Sequence, residues 1–311
     1  MEKILCDISA LEFWRGASEA EARRVLSHVR GAGSAQAQAL DSNALHDLGV
    51  TLPAHLLMKE EVHDAAFPHK VRICQSGLPP HSILRISGDL CVTCPELTYV
   101  QLGTVLEPAE LLQVGYELCG FYLVSSQGMQ QTSAPLTSVQ KIGSYIEACP
   151  PIRGIKPARA MLKFVREPSG SLRETKLVLV LCLPKRRGGY GLPWPVLNHR
   201  IELTPYLRKV TGRSYLCADL CWPEYMLVIE YDSDEWHEDD AARTRDAQKR
   251  MALEALGFTV ITVTTQQLNN PDMTDAIAHE AARRLGERMR GATPTVLAKR
   301  HELREALGLP K

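Results

Sequence analysis

Cys217-Ala-Asp219-Leu-Cys-Trp222-Pro-Glu-Tyr-Met-Leu-Val-Ile-Glu230-Tyr-Asp232 is the stretch on which the reading of this chain turns. It reads as two strands joined by a short Trp-Pro turn. Met226-Leu-Val-Ile229 is a continuous apolar run, as in a central strand covered on both faces. Strand periodicity places Glu230 and Asp232 on one face, with Asp219 near the end of the preceding strand. Carboxylates gathered at the end of a buried strand repel one another unless a cation lies between them. Hard oxygen ligands of this kind suit Mg2+ or Mn2+. Such an ion polarises a phosphate and lowers the pKa of bound water. On the residues alone a second reading stays open, in which Asp219 and Glu230 are strand-end carboxylates capping turns.

Working outward, helices are expected over 136–148, 157–165 and 169–183. Strands follow over 196–203, 214–220 and 225–231. Then come a helix over 239–256 closed by Gly257, a β-branched strand over 259–264 and a helix over 273–289. Glu174, on the helix before the strands, is a candidate further ligand or water-positioning group. His237 follows Trp236 on an acidic loop, where it reads either as a general base or as a surface histidine. Upstream, residues 18–29 read as a helix with Ser18 as N-cap and Glu21 three residues on. Strands are expected over 55–58, 71–75, 83–87 and 90–93, with helices over 95–102 and 108–118. Residues 31–35 and 125–135 read as loops, and Asp7 to Leu11 as the start of a strand. The implied domains are a small mixed α+β domain over 1–134, an α/β domain over 135–295, and a helical tail over 296–311.

The chain has 311 residues, about right for two domains. With 45% hydrophobic and 23% charged residues it has the balance of a soluble globular protein. No apolar run approaches a bilayer span, and the first residues lack a secretory signal, so a cytoplasmic protein without membrane contact is expected. Nine cysteines without a disulfide pattern read as free, mostly buried thiols. Cys91-Val-Thr-Cys94 has the spacing of half a zinc site, but no matching pair follows. The formal net charge of zero hides a strong segregation. Residues 151–213 hold 14 Lys or Arg and three acids, whereas residues 219–240 hold nine acids and no Lys or Arg. A basic block before an acidic cluster suits a protein that grips phosphates and binds a cation beside them; two solvated faces of opposite sign would give the same count. Within the basic set, Lys185-Arg186-Arg187 on a glycine-rich loop, together with Arg245 and Lys249 on the helix over 239–256, are the candidate DNA contacts.

The block from Asp219 to Asp232, then Trp236-His237, Arg245-Asp246 and Leu256-Gly-Phe258 into Thr264, resembles the PD-(D/E)XK nuclease superfamily. It is closest there to proteins related to very-short-patch mismatch repair endonucleases, which are often fused to a region like abortive-infection antitoxins. Ser171-Leu-Arg-Glu174-Thr175 resembles their helix glutamate, and the likeness covers about residues 169–268. The resemblance implies a restriction-endonuclease-like mixed sheet flanked by helices, with Asp219 and Glu230 as metal ligands. It implies that Asp232, His237 and Glu174 share in catalysis. Asp232 stands where the superfamily usually carries Lys, and Ser233 where Gly is common. The expected function is a magnesium- or manganese-dependent DNA endonuclease or nickase, with a protein partner for the N-terminal region. The alternative is a catalytically inactive, nuclease-fold DNA-binding or antitoxin-like regulator.

Overall fold

A computed structural model describes residues 3–27, 42–59, 69–74, 77–232, 240–289 and 291–310. By internal contacts the chain divides into two units, Met1–Glu167 and Pro168–Lys311. The helices expected over 136–148 and 157–165 therefore fall in the first unit and not in the second, and the C-terminal residues belong to the second.

The first unit is a mixed five-stranded sheet with helices. Its strands are β1 (Lys3–Leu5), β2 (His55–Met58), β3 (Lys70–Ile73), β4 (Ile83–Ser87) and β5 (Leu90–Thr93), in the order β3-β2-β1-β5-β4. Its helices are α1 (Asp7–Gly16), α2 (Glu19–Ser27), α3 (Ser42–Asp47), α4 (Pro95–Leu102), α5 (Pro108–Leu118), α6 (Val139–Ala148) and α7 (Ile155–Leu162). Phe13, Trp14, Leu56, Val92 and Leu97 lie in its core. Two expectations fail here. Asp7 opens helix α1 rather than a strand, with a left-handed φ of 50° and its carboxylate paired with Arg72. The segment read as a loop over 125–135 contains most of a hairpin, β6 (Tyr122–Ser125) and β7 (Gly128–Gln131), closed at Gly128 with φ 115°. Its second strand is exposed throughout, so no apolar alternation marks it in the sequence. Cys91 and Cys94 are buried thiols outside any disulfide, and Cys94 caps α4 through its sulfur, so the half-site is core packing.

The second unit carries the decisive stretch. Helix α8 (Leu172–Cys182) precedes β8 (Val196–Glu202), α9 (Pro205–Thr211), β9 (Tyr215–Trp222) and β10 (Leu227–Asp232). Then come α10 (Asp240–Ala255), β11 (Thr259–Thr264), α11 (Thr265–Asn269), α12 (Pro271–Arg284) and α13 (Pro294–Ala306). The sheet order is β11-β10-β9-β8, antiparallel from β8 to β10 and parallel between β10 and β11. A parallel pair needs a crossover connection, which α10 supplies. The turn after Trp222 is a single 3-10 turn over Pro223–Tyr225, with Met226 left-handed at φ 48°, so β10 begins two residues later than the strand expected over 225–231. Gly257 closes the α10 connection with φ 93°, a conformation that costs glycine little. Leu227, Val228 and Ile229 are all fully buried, as expected of a strand covered on both sides. Val228 and Cys221 pack with Ala252 and Leu253 of α10 in one apolar cluster.

Candidate active site

The β9–β10 ladder brings the two central acids together. Leu227 pairs with Trp222, Val228 with Cys221 and Ile229 with Leu220. The next step of that register sets Glu230 opposite Asp219, and directly opposed residues in an antiparallel pair share a face. The paired register ends at Ile229 and Leu220, and beyond it Oδ2 of Asp219 accepts the backbone N–H of Tyr231 at 2.7 Å. Glu174 arrives from α8. Ser171 caps that helix by accepting the Glu174 N–H on its hydroxyl at 3.1 Å. Oε2 of Glu174 in turn accepts the N–H of Gly170 at 2.9 Å and the side-chain amide of Asn198 on β8 at 3.0 Å. Gly170 fits closely into this cradle: a Cβ there would stand 3.1 Å from both Glu174 carboxylate oxygens, which would have to shift by a few tenths of an ångström.

Among these acids lies a cation of the protein itself. Lys249 Nζ hydrogen-bonds Oε2 of Glu230 and is 4.0 Å from Oδ1 of Asp219. The sequence reading assigned Lys249 to DNA, whereas its ammonium is turned inward and mostly buried, because it stands on the packed side of α10. Lys249, Ala252, Leu253 and Leu256 have the spacing of one helical stripe, and the last three pack in the apolar cluster. That stripe is the signal that could have found Lys249 in the sequence.

One ammonium does not balance three partly buried carboxylates. Burial and the charge of Asp219 push the carboxyl of Glu174 up to about 7. Burial, Asp219 and, more weakly, Glu174 push that of Glu230 up to about 8 against the pull of Lys249. Burial also raises Asp219, opposed by Lys249 and the Tyr231 N–H. Burial works against a charged Lys249, but Asp219 and Glu230 outweigh it and hold the amine above its ordinary value. Oε1 of Glu230 is buried and has no hydrogen-bond partner among the described residues. Such an orphaned oxygen is costly, and a divalent ion would satisfy it. The donor set therefore fits a hard cation. In the arrangement seen, however, among the described residues no three His, Cys, Asp or Glu side chains are gathered tightly enough to hold one, and Lys249 takes up the space between two of them.

The remaining expectations part company. Asp232 is exposed at the end of β10, opposite Thr264, one strand alternation beyond Glu230. His237 lies outside the described residues. Arg245 is exposed on α10, one turn before Lys249. Lys185–Arg187 forms a 3-10 turn after α8, packed against α13, with Lys185 and Arg186 exposed and Arg187 half-buried. Glu174 lies in the first turn of α8 and this basic turn follows the helix end, so about 12 Å of helix, at 1.5 Å per residue, separates Glu174 from Cys182. The basic turn is thus remote from the carboxylates. Part of the basic block is neutralised locally, since Arg200 and Arg208 both pair with Glu202, and Arg200 stacks on Tyr215.

No known family model matches this chain, and neither does any solved structure. An uncharacterized protein of Mycobacterium tuberculosis, found in two strains, is 32% identical to it over 111 residues, which are 36% of this chain and 36% of the relative. The chain thus matches about a third of the length of these relatives.

Proposed function

We propose that the second unit is a metal-dependent phosphodiesterase domain of the restriction-endonuclease-like kind, acting on DNA as an endonuclease or nickase. The observation that carries this reading is the convergence of Asp219, Glu230 and Glu174 at adjacent strands and a helix start, with more buried negative charge than Lys249 balances. The order of helix, three antiparallel strands, crossover helix and parallel strand supports it, since this is the frame that the resemblance implies.

Asp219 and Glu230 would hold one Mg2+ or Mn2+, which when bound neutralises phosphate charge and acidifies a water molecule. Glu174, held by Gly170 and Asn198 and near enough to Asp219 to feel its charge, would orient the attacking water or take its proton. The water oxygen bonds to phosphorus as the bond to the departing ester oxygen breaks. The second reading, an inactive DNA-binding regulator, is favoured by one observation: the cation already paired with Oε2 of Glu230 is the chain's own Lys249. Incubating the protein with supercoiled plasmid in Mg2+, Mn2+ or EDTA separates the two. Nicked or linear product in either metal and none in EDTA is the expected result; binding without cutting across varied substrates selects the regulator.

The position of the basic turn makes a separate prediction. About 12 Å along a duplex is roughly three to four base-pair steps, so Lys185 and Arg186 suit phosphates flanking the cut site rather than the scissile one. Replacing both with alanine is expected to make the slope of log affinity against log salt shallower by about 2, at about 0.9 per phosphate contact. The cleavage rate at saturating DNA should be unchanged. An unaltered slope in fluorescence-anisotropy titrations would remove this turn from the interface.

A further inference from the structure

We propose that the cleft between α12 and α13 binds a small organic oxyanion, a phosphate monoester or carboxylate of about mononucleotide size, through Arg300 and His301 beside the buried charge of Arg304. The cleft shares no residue with the Asp219 cluster, so the proposal stands whether or not that cluster holds a metal.

The sequence of α13 carries the anomaly. Its packed stripe is Val296, Arg300, Leu303, Arg304 and, at its C-cap, Leu307, all buried or half-buried. An amphipathic helix ordinarily puts apolar side chains on such a stripe, and arginine is almost never fully buried unless paired. Arg304 is only 4% exposed. Its guanidinium donates to the carbonyls of Leu268, Asn269 and Pro310 and to the hydroxyl of Thr274. No carboxylate pairs with it among the described residues. Its hydrogen bonds are met, but its charge faces only carbonyl and hydroxyl dipoles, and burial pushes the guanidinium below its ordinary value.

Arg300, one helical turn earlier, is held in place but not used up. Its Nη1 donates to Oδ1 of Asp275 at 2.9 Å, and its guanidinium carbon lies 3.8 Å over the ring of Tyr190. Asp275 is shared, since His279 Nε2 is 3.4 Å from its other oxygen. The opposite edge of the guanidinium, Nε and Nη2, has no acceptor among the described residues, and Nε is buried. A buried donor without an acceptor is costly. That edge is the fork that takes two oxygens of one carboxylate or phosphate. Stacking on Tyr190 and the bond to Asp275 fix its plane before a ligand arrives, so little order is lost on binding.

Both arginines line one cleft of about 540 Å3, the size of a small-molecule site. His301 is exposed at the same cleft and offers a ring N–H to an oxyanion. Asp272, the other acid of the lining, lies in the first turn of α12, where the helix N-terminus offsets its charge. With Asp275 already answered by Arg300, the balance in the cleft is positive. Val180, Pro271 and Leu297 add an apolar wall, so the ligand that fits joins an oxyanion to an apolar or aromatic body.

The test is run in EDTA, with adenosine 5′-monophosphate and benzoate as probes and adenosine and inorganic phosphate as controls. At least one probe is expected to raise the melting temperature by about 3–6 °C when present at about tenfold over its Kd. The same probe should protect Arg300 several-fold from phenylglyoxal, read by peptide mass spectrometry, while Arg245, exposed on α10, is labelled as before. A gain with the nucleotide alone assigns a phosphate ester, and with benzoate alone a carboxylate. Adenosine should give neither effect. Arg300→Lys keeps the charge but loses the fork, and should weaken the probe about 10-fold; His301→Ala should weaken it a few-fold. Should Arg300→Lys fail to fold, protection in wild type and the affinity of His301→Ala decide. Absence of shift and protection with both probes at millimolar concentration overturns the proposal. So does inorganic phosphate binding as tightly as the nucleotide, or protection of Arg300 by duplex DNA alone, which would put this arginine in the path of DNA. None of these results bears on the reading of Asp219 and Glu230.

Discussion

Asp219→Asn is expected to lower metal-dependent cleavage by about 10³-fold or more while leaving duplex affinity within about threefold. The substitution keeps an oxygen that can accept the Tyr231 N–H, now made to Oδ2 at 2.7 Å, so β9 and β10 should hold together. What it removes is the charge that retains a divalent ion. A group that stabilises charge developing in the transition state acts on rate, whereas lysines and arginines that grip the backbone act on affinity. Losing one preorganised electrostatic contact commonly costs about 10²–10³-fold, and loss of the ion removes water activation as well. Single-turnover rates and anisotropy titrations on the same preparation read the two effects separately. Equal losses of binding and cleavage would show that Asp219 serves folding or DNA contact instead.

Glu174→Gln is expected to raise the melting temperature of metal-free protein at pH 8 and change it little at pH 5. In the folded protein the Glu174 carboxyl titrates near 7, because it is buried beside Asp219, whereas in the unfolded chain it titrates near 4.3. Between those values the folded state binds the proton more tightly, so stability is present at low pH and is lost as pH rises toward the folded pKa. Glutamine never ionises and its amide oxygen can still accept from Gly170 and Asn198, so it escapes the loss. At 1.36 kcal/mol per unit the full shift is on the order of 3 kcal/mol. Relaxation in a cluster that already contains Lys249 reduces this to about 1–2 kcal/mol, or roughly 2–8 °C for the transition of a domain of this size. Mn2+ at pH 8 should give wild type a similar or larger gain, and Glu174→Gln a smaller one. A variant whose stability follows pH in parallel with wild type would place Glu174 outside the strained charge cluster.

The frame of this site was legible in the sequence, and the reason lies in β10 and β11. Leu227–Ile229 is apolar without interruption because both faces are covered, and the β-branched run from Thr259 matches β11 end to end. Gly257 was legible because a left-handed residue is needed between α10 and β11. Glu174 was legible only as a helix residue, since the helix expected over 169–183 starts at Leu172 in the structure and Ser171, read inside it, is its N-cap. Lys249 was misread because a charged residue on an amphipathic helix is ordinarily solvated. Only the stripe it shares with Ala252, Leu253 and Leu256 betrays it, and only once buried carboxylates are known to lie opposite. The hairpin of β6 and β7 left no trace because Gly128–Gln131 buries neither face. Nor does the charge of Lys185–Arg187 disclose its distance from the acids, which follows from the length of α8.

The account stands most directly on where a metal binds. Protein loaded with Fe2+ in place of Mg2+ or Mn2+, then treated with ascorbate and peroxide, generates radicals that cut the backbone within a few ångströms of the ion. Mass spectrometry of the fragments should find cuts clustered near Gly170–Glu174, Asp219 and Glu230, suppressed by excess Mn2+ and absent in Asp219→Asn. Cuts elsewhere in the chain, or the same cuts in Asp219→Asn, would contradict the assignment of Asp219 and Glu230 as the metal centre.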